Sequence, residues 1–326
     1  MGHRDVTSQV SSEQSSPTPY LDPFFPFPVV PFHNSRYDKP LLPVLLLKMF
    51  RSWKRLTSYS SLVGRNPVCL HHSIKRSVTS FDRTDIDLLQ ELRQLDTAAI
   101  CDADKMLMSQ LADTSDETTN YKGIKLLQSK MRPVNALRTK YVMVGMAKTV
   151  KCTKRNDFLA VLRGLMDAKP GDVLMVDTCN SDRAVAGELF CLQSVQNGLE
   201  GLVVDGPVRD TSYVGEISQV RCYSTSITPY SGTTLSPGMI DVSIMCGGVI
   251  VNPGDIVVGD NDGLVVADAT TFAALLPQAK AICTTEEKIK DSILNGASLD
   301  RLTNCTAHIA ARIADEPSSL SFTVND

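Results

Sequence analysis

Past residue 81 the apolar positions fall into two regimes. In the first, helical and strand periods alternate. Between Asp82 and Leu95, Ile86, Leu89 and Leu92 recur near helical spacing with Asp85, Asp87 and Glu91 among them, which predicts a helix. A second helix begins in Thr97–Ala103, and Asp113–Thr119 reads as a polar loop. Tyr141–Val150 predicts a strand interrupted at Gly145. Asp157–Met166 predicts a helix closed by Lys169-Pro170-Gly171-Asp172. Val173–Val176 is an unbroken apolar run and reads as a buried strand, with Asp177 at its exit. Arg183–Asn197 predicts a helix, and Gly198 suits the left-handed position that ends it. Leu202–Val204 is the next strand, so the stretch has the size of a βαβ unit.

The second regime is sheet with hairpins. Short β-like runs occupy 221–227, 241–245, 248–251, 256–258 and 264–267. Asn252-Pro253-Gly254-Asp255 and the segment 259–263 turn between them. Thr270–Ser298 predicts a long helix broken around Pro277 and ending at Gly296. No internal repeat is evident. The pattern predicts one α/β domain with a mixed sheet over residues 81–300 and a C-terminal tail over 301–326.

The first eighty residues follow neither regime. Residues 10–36 are rich in Ser and Pro, and Pro23, Pro26, Pro28 and Pro31 fall too densely for a regular element. Leu41–Leu47 is far shorter than the ~20 apolar residues of a membrane span. From Met49 to Ser80 there are six Lys/Arg and no acid. That composition fits a mitochondrial transit peptide starting at Met49, with 1–48 an over-long start; a basic tail of a cytoplasmic protein is the plainer alternative.

Charge separates these parts further. Residues 1–80 carry ten Lys/Arg against four Asp/Glu, whereas the remainder carries 23 against 32. The acidic body argues against a broad nucleic-acid surface. The nine cysteines are scattered singly, without CxxC or zinc spacing, and read as reduced residues.

The candidate chemistry lies at Gly201-Leu202-Val203-Val204-Asp205-Gly206-Pro207-Val208-Arg209-Asp210, a buried strand running into a turn. Arg209 is a rigid fork for a carboxylate. Asp210 is a hard oxygen ligand for an ion such as Mg2+. Side by side at a strand end, they could hold a small oxo-acid against an ion, or simply pair with each other. Asp260 and Asp262 fit hairpin turns better than a metal site, and Asp177 fits a cap on the following turn. His71, His72 and His308 lie outside the motif region.

An ordered set of segments carries a family resemblance. They are Lys169-Pro170-Gly171-Asp172-Val173 with Val176-Asp177, Gly187-Glu188-Leu189, Asn197-Gly198 leading to Gly201, and Arg209-Asp210. Gly247-Gly248-Val249, Pro253-Gly254-Asp255, and Asp260 with Asp262-Gly263-Leu264-Val265-Val266 complete it. Over roughly residues 85–300 the chain resembles the family of the regulator of ribonuclease E activity A and 4-hydroxy-4-methyl-2-oxoglutarate aldolase. Its members are sometimes mislabelled dimethylmenaquinone methyltransferases, and no glycine-rich SAM-binding loop is apparent here.

The resemblance implies a swivelling β/β/α fold, and a homotrimer or hexamer with sites between subunits. It implies cleavage of 4-hydroxy-4-methyl-2-oxoglutarate-like oxo-dicarboxylates to pyruvate and decarboxylation of oxaloacetate, with Mg2+ or Mn2+. Asp210 then matches the metal ligand and Arg209 the residue that binds the substrate carboxylate. Glu188 matches an acid that orients or activates a water. Gly187, Glu188 and Leu189 present backbone to the substrate, and Glu286 fits an acid from a neighbour's C-terminal helix. The family also contains non-catalytic regulators that bind an RNA-processing protein. Tyr213 favours that alternative, because the family usually has Asp or Glu there and a phenol brings no anionic charge at neutral pH.

Overall fold

The computed structural model describes residues 83–114, 121–135 and 141–322. The N-terminal extension and the transit peptide expected from Met49 lie outside these residues, as does most of the polar loop expected at 113–119. Helices α1 (Arg83–Leu92) and α2 (Thr97–Thr114) come first. Strands β1 (Lys125–Leu126), β2 (Arg132–Pro133) and β3 (Met143–Lys151) follow. Then come α3 (Leu159–Asp167), β4 (Asp172–Asp177), α4 (Glu188–Gln196), β5 (Gly201–Val208), the single turn α5 (Thr211–Val214) and β6 (Arg221–Ile227). Five short strands succeed them: β7 (Met239–Ile240), β8 (Ile244–Cys246), β9 (Val249–Val251), β10 (Ile256–Gly259) and β11 (Leu264–Ala267). The long helix α6 (Ala269–Leu294), a 3-10 turn (Leu299–Arg301) and α7 (Cys305–Ile313) end the described chain. None of the described helices is long and apolar enough to cross a membrane.

The sheet is mixed, as expected. Its order is β1-β11-β10-β3-β4-β5-β6-β2, with β7 also pairing β3. β3, β4, β5 and β6 run parallel, linked by helical crossovers, and the remaining pairings are antiparallel. Parallel strands need cover on both faces, and the alternation of side chains supplies it. Leu174, Val176, Leu202 and Val204 join one core with Val161 and Leu165 of α3 and Cys191 of α4. Val173, Met175 and Val203 face the other way, against Ile244, Cys246 and Val251 of the β8–β9 hairpin. A third core packs Leu92, Ile100, Phe272 and Leu275 on β10 and β11. Each fully buried Leu or Phe contributes roughly 2–3 kcal/mol.

Several elements depart from the sequence expectation, each for a tertiary reason. Gly145 does not interrupt its strand. A Cβ there would stand 2.4 Å from the Gly171 carbonyl oxygen, so glycine is required by close packing. Residues 183–187 are not helical. Ala184 and Ala186 bridge to Ser231 and Val208, and α4 starts only at Glu188. α6 is continuous through Pro277, because Phe272, Leu275 and Ala279 bury its inner side on both sides of the proline. The strand expected at 241–245 is replaced by β7 and β8, with a turn between them at Asp241, whose φ is 54°. Beyond residue 300 the expected tail contains α7.

Candidate active site

The site forms where the parallel strands end. Brought together there are the end of β5, the extended segment before α4, the start of α3 and the loop after β6. β5 carries a register shift between Val204 and Pro207, and such irregularities bend a strand and re-aim its side chains. Thr178 Oγ1 donates to the Asp205 carbonyl at 2.6 Å inside this irregular stretch. Val185 N–H donates to the Pro207 carbonyl (3.1 Å) and Arg209 N–H to the Ala186 carbonyl (3.1 Å), so segment 184–187 lies against the end of β5.

Arg209 and Asp210 follow directly. Asp210 adopts a left-handed backbone conformation (φ 58°, ψ 34°) that ends the strand and opens α5. Its carbonyl accepts the N–H groups of Tyr213 and Val214, both at 3.0 Å. The Arg209 and Asp210 side chains turn toward each other, with Arg209 Nε 3.3 Å from Asp210 Oδ2. They are 41% and 37% exposed, so the pair is open to solvent and to a ligand. In the solvent-screened setting of such exposure, the pair itself adds at most about 1 kcal/mol to stability.

A small cleft, open to solvent, runs past these two side chains. Gly187, Leu189, Arg209 and Asp210 line it, four residues singled out from sequence. Gly187 touches the pair: a Cβ there would stand 2.7 Å from Asp210 Oδ2 and 3.0 Å from Arg209 Cγ. Glu188 is half-buried at the first position of α4 and is not among the lining residues. The N–H groups of Glu188 and Leu189 belong to the first turn of α4, where no intrahelical acceptor exists.

Other expectations sort differently. Asp177 caps a turn, its Oδ1 accepting from Cys179 N–H at 3.0 Å. Asp260 is buried and accepts from Thr97 N–H and Thr97 Oγ1, both at 2.8 Å, and from Asp262 N–H at 2.8 Å. It pins α2 to the β10–β11 turn. Glu286 lies on α6 and lines a different cleft, with Ile289, Ile293 and Phe322. Burial, then the Asp96 and Asp102 carboxylates, push its pKa up from its ordinary value. Tyr213 stands on α5 with 56% of its surface exposed.

The sequence reading did not find Phe158, Ala184 or Ser231, which also line the cleft. Phe158 meets Phe190 edge to face, with ring centroids 5.9 Å apart. Nothing in their local sequence marks these residues, since the chain contacts that assemble them are long-range. Two consecutive left-handed residues, Cys179 and Asn180 (φ 56° and 54°), shape the neighbouring turn.

A family model described as Aldolase/RraA (RraA-like) matches residues 97–266, which includes every wall of this cleft. The chain belongs to the RraA-like family. A Halalkalibacterium halodurans protein named as a candidate 4-hydroxy-4-methyl-2-oxoglutarate aldolase is 33% identical over 200 residues, covering 61% of this chain and 84% of that one. Among solved structures, Streptomyces coelicolor RraAS2, described as an unusual member of the RNase ES inhibitor RraA protein family, superposes with a TM-score of 0.51. It is 26% identical and covers 65% of this chain and 99% of its own. An uncharacterised Pseudomonas syringae protein shares the fold, with a TM-score of 0.51, 24% identity, and coverage of 66% and 96%.

Proposed function

We propose that this RraA-like protein is a divalent-metal-dependent lyase of small oxo-dicarboxylates. It releases pyruvate from a 4-hydroxy-4-methyl-2-oxoglutarate-like substrate and decarboxylates oxaloacetate. One observation carries the reading: the Arg209 guanidinium and the Asp210 carboxylate share one solvent-open cleft at the end of β5. The resemblance to a named candidate aldolase supports it.

The residues present fit an ion with a water-rich shell. Among the described residues no group of three or more His, Cys, Asp or Glu gathers as a metal cage. A single accessible carboxylate is the anchor Mg2+ commonly accepts, since it gives up its waters reluctantly and is often held by one or two carboxylates plus the substrate. Asp210 would hold it. When bound, the ion polarises the 2-oxo group and takes up negative charge at that oxygen.

The chain's own groups do the rest. Arg209 forks onto the substrate's 1-carboxylate and places fixed positive charge beside the developing enolate. The first-turn N–H groups of α4 add partial positive charge on the same side. Glu188, next to the cleft, orients a water that takes the hydroxyl proton in the aldol cleavage. Gly187 keeps the approach to Asp210 free of side-chain atoms.

The test is Asp210→Ala and Arg209→Gln, with pyruvate release followed on a panel of oxo-dicarboxylates at saturating Mg2+ and after chelation. Loss of turnover with an unchanged melting temperature supports the assignment. Equal turnover in wild type and D210A defeats it. A second reading, a non-catalytic regulator of an RNA-processing protein, draws on Tyr213 and on exposed Leu189, Ile227 and Tyr230 near the cleft. Co-purification with such a partner in the absence of turnover would favour it.

A further inference from the structure

We infer that Arg183, seated on the ring of Tyr230 at the cleft rim, is the specificity-determining cation that receives the distal carboxylate of a dicarboxylate substrate. The inference rests on the function proposed above and adds to it the origin of dicarboxylate selectivity. A dicarboxylate brings two anionic ends, and Arg209 with the ion serves only one of them.

Three observations converge on Arg183. Its guanidinium lies 4.3 Å from the centroid of the Tyr230 ring, an arrangement that fixes a cation's position without neutralising it. Its chain neighbour Ala184 and Tyr230's neighbour Ser231 are both walls of the cleft and bridge to each other. Ala184 N–H donates to the Tyr230 carbonyl at 2.8 Å, so the two rim segments are tied side by side. Finally, among the described residues no carboxylate pairs with Arg183. The nearby Arg155 is already occupied, donating to Asp182 Oδ2 and the Asn180 carbonyl, both at 2.9 Å. Lys148 is held by Asp167 and Asp241.

The backbone at Arg183 is also held in place. Ser181 Oγ donates to the Arg183 carbonyl at 2.7 Å and lies 3.0 Å from Asn156 Oδ1. Arg183 stands three residues before Ala186, which pairs with Val208. Extended chain limits that span to at most roughly 10–11 Å, which keeps Arg183 in the neighbourhood of the Arg209 end of the cleft.

The experiment measures binding by isothermal titration calorimetry at saturating Mg2+, with pyruvate as the one-carboxylate probe and 2-oxoglutarate as the two-carboxylate probe. Wild type should prefer 2-oxoglutarate. Arg183→Gln should weaken 2-oxoglutarate roughly tenfold or more, the value of a charged hydrogen bond, and leave pyruvate within about twofold. Arg183→Lys should recover part of the loss, since it keeps the charge but not the fork. With oxaloacetate, KM should rise while kcat holds. Arg209→Gln should weaken both probes. If Arg183→Gln changes neither probe or both equally while Arg209→Gln still weakens both, the Arg183 assignment is overturned and the proposed function stands. If wild type binds neither probe, the proposed function falls and takes the Arg183 assignment with it.

Discussion

Gly187→Ala isolates the geometry of the site from its stability. The native backbone there is extended (φ −176°, ψ −156°), which alanine adopts without strain. The added methyl group meets Asp210 Oδ2 at 2.7 Å and Arg209 Cγ at 3.0 Å, and the Arg209 carbonyl at 3.3 Å. The tightest contact is the end of a half-exposed side chain that can swing into solvent. The stability cost should therefore sit at the lower end of the overpacking range, about 1 kcal/mol. The site cannot relax so cheaply. Relieving 2.7 Å to an ordinary contact displaces the carboxylate by roughly 1 Å, and misplacements of that size can lower turnover about a hundredfold. The assay is pyruvate release from oxaloacetate with Mg2+, alongside thermal unfolding. Gly263→Ala serves as control, since a Cβ at Gly263 meets nothing within 4 Å. Wild-type kcat/KM in G187A would refute the reasoning, because the methyl group cannot be accommodated without moving one member of the pair.

Two further outcomes test the framework around the site. Asp260→Ala removes the acceptor for Thr97 and for the turn at Asp262 and should cost about 3 kcal/mol in urea unfolding, because buried donors are left unpaired. Metal dependence of any turnover should be unchanged. At alkaline pH, burial followed by the Asp177 carboxylate pushes the Cys152 thiol up to about 12, and burial followed by Glu200 pushes the Tyr141 phenol up to about 12. The folded chain then keeps protons that the unfolded chain releases from pH 9 to 10 upward, so stability falls as pH rises from about 9 to 12. Melting temperatures across pH 8–12 check this, and Cys152→Ser should flatten the fall. A melting temperature that rises over that range would contradict it.

The sheet was legible where apolar runs were unbroken. Val173–Val176 and Leu202–Val204 read directly as buried strands, and the structure shows both faces of each covered, while Gly198 marked a helix end with φ 70°. Legibility failed where tertiary contacts override local preference. Ala184-Val185-Ala186 suits a helix, yet its hydrogen bonds go to Pro207 and Tyr230. Pro277 suits a break, yet its flanks are packed. The site follows the same rule. Arg209 and Asp210 were visible because they are adjacent, and Gly187-Glu188-Leu189 because the family pattern marks it. Phe158, Ala184 and Ser231 converge from separate segments, and no local pattern announces them.

The left-handed turn at Asp210 has a consequence for which acid can serve there. Outside glycine, that conformation is tolerated best by Asn and Asp, whose short side chains fit it. Glutamate would offer an ion the same two oxygens, but its longer stem would have to leave from a backbone geometry that disfavours it. The choice of acid for the proposed ion site is thus narrowed by the shape of the main chain before ion chemistry has any say, and Asn is the replacement that keeps the outline while cancelling the charge.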